Sequence, residues 1–265
     1  VLLHSLSCEE MIHVLKTRFG ETSRLRNSAE RLVSVYTSLA PGQHPHTFDD
    51  NMQPSHLPAF SSTAATAAIK ASTVVSSTTA SGRLVCFRDL LKWADRIAAR
   101  EQLNDHELPM AAFQEALDCF CAAVPEPITR DLFAEQIAGY LNLSATVATQ
   151  QCHDYKPEIS ITNHCVRISE RALLHKLPSP LPSLMASVAV KSPFSFTRKS
   201  CVLLERIVVA VNNKEPVLIV GETGTGKTTA VQYLAYQTNR KLKVINMNQQ
   251  SDATDLLGGF KPVEM

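Results

Sequence analysis

Gly221-Glu-Thr-Gly-Thr-Gly-Lys-Thr228, set between Pro216-Val-Leu-Ile-Val220 and Thr229-Ala-Val-Gln-Tyr-Leu-Ala235, decides how this chain is read. The octapeptide fits G-x-x-x-x-G-K-[ST], the phosphate-binding or Walker A loop. An apolar, β-branched run before it predicts a buried parallel strand, and the Ala/Val/Leu-containing segment after it predicts a helix. The motif requires that strand-to-helix junction. At average residue usage its four fixed positions match by chance in a chain this long only about once in a hundred.

The chemistry accounts for the residue types. Gly221, Gly224 and Gly226 allow backbone turns and close approaches that a side chain would block, so that successive N–H groups converge on an anion. The loop then meets the positive end of a helix dipole. Lys227 supplies a point charge for β- and γ-phosphates, and the Thr228 hydroxyl a ligand for the Mg²⁺ that bridges them. Glu222, Thr223 and Thr225 shape the loop, and Thr229 completes the nine-residue set of candidate nucleotide contacts.

Working outward, 265 residues suit one large or two small domains, and 45% hydrophobic content is enough for a core. The 26 basic and 25 acidic residues leave a formal charge of +1. No global field would draw in nucleic acid or an anionic membrane, so neither is expected as a direct partner. Seven cysteines are scattered without a C-x-x-C pair, the pattern of reduced thiols in an intracellular protein. No apolar run reaches the length of a membrane span. The start at Val1 and the stop at Met265, inside an apparent α/β unit, suggest a piece of a longer polypeptide.

Ser7 and Glu10 form a capping box ahead of Met11, Ile12, Leu15 and Phe19, with Gly20 as the stop. Leu25, Ala29, Leu32, Val33, Tyr36 and Leu39 predict a second helix, ended by Pro41-Gly42. Residues 41–82 pass into a Ser/Thr/Ala tract with little to form a core and read as a disordered insertion. Arg83 to Ile97 then predicts a helix with Phe87, Leu90, Leu91, Ala94 and Ile97 on one face. Arg88 and Lys92 lie a turn apart on it, as charges on a solvated face do.

Two more helices are predicted: Pro109 to Val124, with Ala112, Phe113, Ala116, Leu117 and Phe120 inward, and Thr129 to Leu143, with Leu132, Phe133, Ile137, Tyr140 and Leu141 inward. Residues 1–150 thus read as an all-helical region. Residues 151–193 read as linker with a short strand or hairpin over Val166 to Leu174, the prolines from Pro178 to Pro193 breaking regular structure. His153, His164 and His175 fit no compact metal-ligand set and are expected at the surface. Residues 194–265 form a new unit: Thr197 caps a helix through Val211, the strand, loop and helix follow, and Leu242 to Met247 predicts a second strand. Ser251 and Asp252 cap a short helix that Gly258-Gly259 ends. The class is α/β: a helical bundle followed by the first half of a parallel nucleotide-binding domain.

Phe194-Ser-Phe-Thr-Arg198, Pro216 to Thr229 and Asn246-Met-Asn-Gln-Gln-Ser-Asp-Ala-Thr-Asp-Leu-Leu-Gly-Gly-Phe-Lys-Pro262 together resemble the midasin family of dynein-related AAA+ ATPases of ribosome assembly. The loop is generic; the Gln-Gln-Ser-Asp-x-x-Asp-Leu-Leu-Gly-Gly-Phe-Lys-Pro continuation is far more particular. Phe87-Arg-Asp-Leu-Leu-Lys-Trp93 likewise resembles the helical lid of the preceding AAA+ module in that family. The resemblance covers residues 194–265 well and 83–97 moderately. It implies ATP and Mg²⁺ as cofactors and Arg88 as a sensor of the γ-phosphate in the preceding module. It further implies neighbouring AAA+ modules of the same polypeptide as partners. The activity it implies is a nuclear chaperone that removes assembly factors from the pre-60S ribosomal particle.

The departures limit that expectation. No apolar strand ending in Asp-Glu follows the loop, so the carboxylates that hold Mg²⁺ and orient water, the sensor and the arginine finger are expected outside this chain. No active site is complete within it, and the chain alone is expected not to hydrolyse ATP. Other readings are a MoxR-like chaperone, a dynein-type motor, or a scaffold that binds ATP without hydrolysing it.

Overall fold

A computed structural model describes residues 6–21, 23–40, 85–100, 102–178, 194–248 and 251. The expected insertion 41–82, the proline-rich stretch 179–193, and most of the Asn246–Pro262 signature with its short helix lie outside the described residues. The chain divides into two compact units, Val1–Tyr155 and Lys156–Met265.

The described part of the first unit is helical. α1 (Cys8–Phe19) starts on the expected capping box, Ser7 accepting from the Glu10 amide and Glu10 from the Ser7 amide, and stops at Gly20, whose φ of 78° suits glycine. A 3-10 turn (Arg24–Ser28), capped by Ser23, feeds α2 (Ala29–Leu39). The second helix therefore begins later than its sequence pattern predicts, because Ser23 captures the Leu25 amide and tightens the first turn. α3 (Phe87–Ala98), α4 (Leu108–Ala116), a π-helical turn (Leu117–Cys121) and α5 (Pro127–Tyr140) follow. The helix expected to run unbroken from Pro109 to Val124 is thus interrupted by that wider turn. α6 (Ala145–His153), capped by Ser144, ends the region read as helical and runs three residues into what reads as linker in the sequence.

One core joins these helices, with Met11, Leu15, Leu32, Tyr36, Trp93, Phe113, Phe120 and Ile137 all buried. Trp93 packs edge-on against Phe120 (centroids 5.3 Å apart, 77° between planes) and donates its indole N–H to the Ala112 carbonyl at 2.8 Å. Burying an indole requires such a partner. Ala112, Phe113, Ala116, Leu117 and Phe120 are all inward, as their spacing predicts.

The second unit opens with a three-stranded antiparallel sheet in the order β1 (Ile159–Ile161), β2 (Cys165–Ile168), β3 (Ala172–His175). Ile159 faces Ile168, and Val166 faces Leu174. Val166, Ile168, Ala172 and Leu174 bury their side chains with Leu204 and Val208 of α7 (Arg198–Asn212), and Ala230 and Leu234 of α8 (Lys227–Gln237) complete that core. Residues 156–177 are therefore part of a folded unit rather than linker. Beneath the β2–β3 turn Glu205 is buried, accepting from the Ser169 hydroxyl at 2.5 Å and paired with Arg171 Nε at 3.2 Å.

The two predicted parallel strands form no regular structure and pair with nothing in a ladder among the described residues. Leu218 is 89% exposed and Val220 84%, and Val244 and Ile245 are exposed as well. A parallel strand acquires its ladder and its burial from neighbours on both sides. Among the described residues neither segment has a ladder partner, although Ile219 packs against the core of the unit.

Candidate functional site

The loop sits where the sequence places it, between the apolar segment 216–220 and the first turn of α8. Gly224 and Gly226 adopt φ of +85° and +81°, the left-handed region that side chains resist. Gly226 is the residue before the helix, so the chain turns through it directly into the α8 N-terminus, with Lys227 first and Thr228 second in the helix. Unpaired amides of that first turn and the positive end of the dipole therefore lie beside the loop.

Gly221 is different. Its φ lies outside the left-handed region, and a Cβ built on it would stand 3.6 Å from Thr225 Oγ1 and 3.9 Å from Lys227 Cδ, ordinary van der Waals distances. Two of the three glycines are thus required by backbone conformation, and the first is not.

Lys227 folds back over the loop. Its Nζ donates to the carbonyl oxygens of Gly221 at 2.8 Å and Glu222 at 2.5 Å, and to Thr225 Oγ1 at 3.3 Å. The Thr225 hydroxyl in turn donates to the Glu222 carbonyl at 2.8 Å. The positive charge is held at the centre of the turn by groups that carry no full negative charge, which leaves it able to attract an anion. Glu222, Thr223 and Thr228 are exposed, and Thr229 is half-buried at the start of the helix. The structure brings Gly221 to Thr229 into one local cluster; Arg88 belongs to the other unit, exposed at the second position of α3.

Sequence reasoning missed the brace behind this loop. Phe194 stacks on Tyr233 (centroids 4.4 Å apart, 17° between planes), and Phe196 meets the same ring edge-on at 5.7 Å. Tyr233 lies on α8 and the two phenylalanines just before α7, so the rings tie the helix that carries Lys227 to the segment that precedes its neighbour. Burial pushes the Tyr233 phenol up, with a hydrogen bond to Gln237 acting the other way. The alternation of Phe194 and Phe196 was the available signal, but no local periodicity links it to Tyr233. Thr197, the predicted cap of α7, does accept the Ser200 amide at 3.2 Å.

The residues present fit a nucleotide triphosphate and its divalent ion. A left-handed glycine pair, a helix N-terminus, a centrally held ammonium and an exposed hydroxyl next to it make the donor set that a phosphate chain requires. No group of three or more metal-binding side chains occurs among the described residues, and no helix among them is long and apolar enough to cross a membrane.

Comparison with known proteins agrees with both halves. A family model described as the Midasin AAA lid domain matches residues 10–144, more than half of the chain. A second, described as the AAA domain (dynein-related subfamily), matches residues 216–264. Midasin of Dictyostelium discoideum is 37% identical over 211 residues, covering 70% of this chain and 4% of that protein. Midasin of Giardia intestinalis is 52% identical over 63 residues, covering 24% of this chain and 1% of that protein. Protein CbbQ of Hydrogenophilus thermoluteolus is 35% identical over 57 residues, 22% of this chain and 21% of that protein. No solved structure matches. The chain spans only a few per cent of the length of the midasins it matches. With its α/β architecture, its helical lid and its phosphate-type loop at the head of a dynein-related AAA domain, this chain belongs to the midasin family of AAA+ ATPases.

Proposed function

We propose that Gly221 to Thr229 binds ATP with Mg²⁺ and that the polypeptide carrying this module hydrolyses it, as part of a remodelling machine. The observation that carries the reading is the ammonium of Lys227, held over a turn whose Gly224 and Gly226 are left-handed, at the first residue of a helix. The loop amides and the α8 N-terminus hold the phosphates, Lys227 neutralises charge on the β- and γ-groups, and the Thr228 hydroxyl is the side-chain ligand for the metal. Bound Mg²⁺ supplies charge stabilisation of the transferring phosphoryl group. Acidic, sensing and arginine-finger groups for hydrolysis come from outside residues 221–265.

Arg88, exposed at the start of α3 in the lid, is the proposed sensor of the γ-phosphate of the preceding module. The finer reading, proposed from the sequence resemblance, is a nuclear machine that works with neighbouring AAA+ modules and removes assembly factors from the pre-60S particle during maturation of the large ribosomal subunit.

Competition against a fluorescent ATP analogue tests the core of this. With Mg²⁺ present, ATP and ADP displace the probe and AMP does not, because AMP lacks the phosphates that Lys227 addresses. Equal displacement by AMP, or no binding of the analogue at all, refutes the reading.

A further inference from the structure

The three hydrogens of the Lys227 ammonium meet three oxygens, and the three are not equivalent. Two are main-chain carbonyls, of Gly221 at 2.8 Å and Glu222 at 2.5 Å. The third is the Thr225 hydroxyl at 3.3 Å, the longest of the set. That hydroxyl has one proton and two lone pairs. The proton is committed to the Glu222 carbonyl at 2.8 Å, which leaves only lone pairs to face Lys227. Threonine is also β-branched, so its χ1 is stiff and the oxygen is aimed rather than free to rotate.

A lysine stem has four rotatable carbons, and its charge is useful only when the end of that stem is already in place. The two carbonyls pull the ammonium back onto the loop. Thr225 holds the remaining N–H away from them, and being the longest of the three contacts it is the one an incoming phosphate oxygen exchanges with most readily. Removing the hydroxyl has two effects of the same sign. The third N–H loses its guide, and the Glu222 carbonyl loses the Thr225 proton and becomes a stronger acceptor for the ammonium.

We propose that Thr225 is a positioning residue for the Lys227 ammonium and so sets how strongly the loop prefers a triphosphate to a diphosphate. The proposal rests on the phosphate-site reading above. Loop amides and the helix N-terminus act on either ligand, whereas the contact with the terminal phosphate depends on where the ammonium stands. A misplaced Lys227 therefore costs ATP more than ADP.

The test measures ATP and ADP affinity in Mg²⁺ for the full chain, with Thr225→Val, Thr225→Ser and Lys227→Ala. Thr225 is exposed, so its replacement leaves the core of the unit untouched, and circular dichroism verifies this. Thr225→Val is expected to lower ATP affinity about tenfold, because the ammonium is no longer held where the terminal phosphate meets it, with a smaller loss for ADP. Thr225→Ser keeps the hydroxyl and is expected to restore the wild-type ratio of the two affinities. An unchanged ratio in Thr225→Val, whether both affinities hold or both fall together, overturns the proposal while leaving the site reading intact if Lys227→Ala loses binding. Wild-type affinity in Lys227→Ala overturns both.

Discussion

Arg96 Nη1 stands 3.3 Å from Glu115 Oε2, with 5% and 2% of the two side chains exposed, and the same guanidinium lies 3.8 Å from Asp118. This pair links α3 to the α4 end of the lid at the point where the helix widens into its π-helical turn. Arg100 Nη1 lies 3.5 Å from the other carboxylate oxygen of Glu115. Removing Arg96 takes a buried cation away from two carboxylates that stay buried, Glu115 and Asp118. Arg96→Met is therefore expected to destabilise the lid by about 3–5 kcal/mol, whereas exposed Arg88→Met should lie within about 0.5 kcal/mol of wild type. Urea denaturation of the two variants separates them, and equal midpoints would dissolve the claim that the pair is structural.

The glycines of the loop should divide two to one. Gly224 and Gly226 have positive φ, so alanine at either position costs about 1–2 kcal/mol of backbone strain. Gly221→Ala meets only ordinary contacts at 3.6 and 3.9 Å and should keep the loop's conformation. Thermal unfolding of the three single variants should rank Gly221→Ala as the mildest. A larger loss at position 221 than at 224 or 226 would contradict this account of the turn.

Burial pushes the Tyr36 phenol up to about 12, with the neighbouring Cys86 and Asp89 acting in the same direction. An unfolded tyrosine releases its proton near pH 10. Between pH 10 and about 12 the folded chain therefore holds a proton that the unfolded chain has lost, and stability falls as pH rises through that window. Below pH 10 the term is constant. Tyr36→Phe should make the alkaline decline shallower, the remainder coming from the raised Cys119 thiol, which denaturation midpoints at pH 9, 10 and 11 would reveal. A variant declining as steeply as wild type would exclude Tyr36 as its source.

Thiol chemistry follows the same physics. Desolvation raises the Cys119 thiol to about 12 even though Arg96 and Lys92 pull it down, and burial also raises Cys201. Both should stay protonated at neutral pH and react slowly with iodoacetamide in the folded chain. Mass mapping of the alkylated cysteines checks this, with fast labelling of Cys119 the contrary result.

Much of this could be read in the sequence because the signals were local. The Ser7–Glu10 capping box, the Gly20 stop and the Thr197 cap each need only three or four residues, and the loop needs nine. What escaped depended on distant partners or weak patterns. α6 buries only Ala148, too little for a helical stripe to stand out. Arg96 looks like a solvated charge until Glu115, nineteen residues on, is placed beside it. The β2–β3 hairpin matches the short strand or hairpin read over Val166 to Leu174, but the three-residue β1 escaped, and the sheet's apolar face acquires meaning only against α7. The two segments read as parallel strands carry the right composition, but a strand is defined by its ladder, and Val217 to Val220 has no ladder partner among the described residues. The nine loop residues were legible as a group, while the bond from Lys227 to Thr225 was not.

Isothermal titration of the full chain with ATP in Mg²⁺, wild type against Lys227→Ala, tests the central claim most directly. Saturable one-to-one binding by the wild type and at least a hundredfold loss in the variant are expected, about 2.7 kcal/mol for a charge lost from a phosphate site. Equal heats and equal affinity in the two proteins would contradict it.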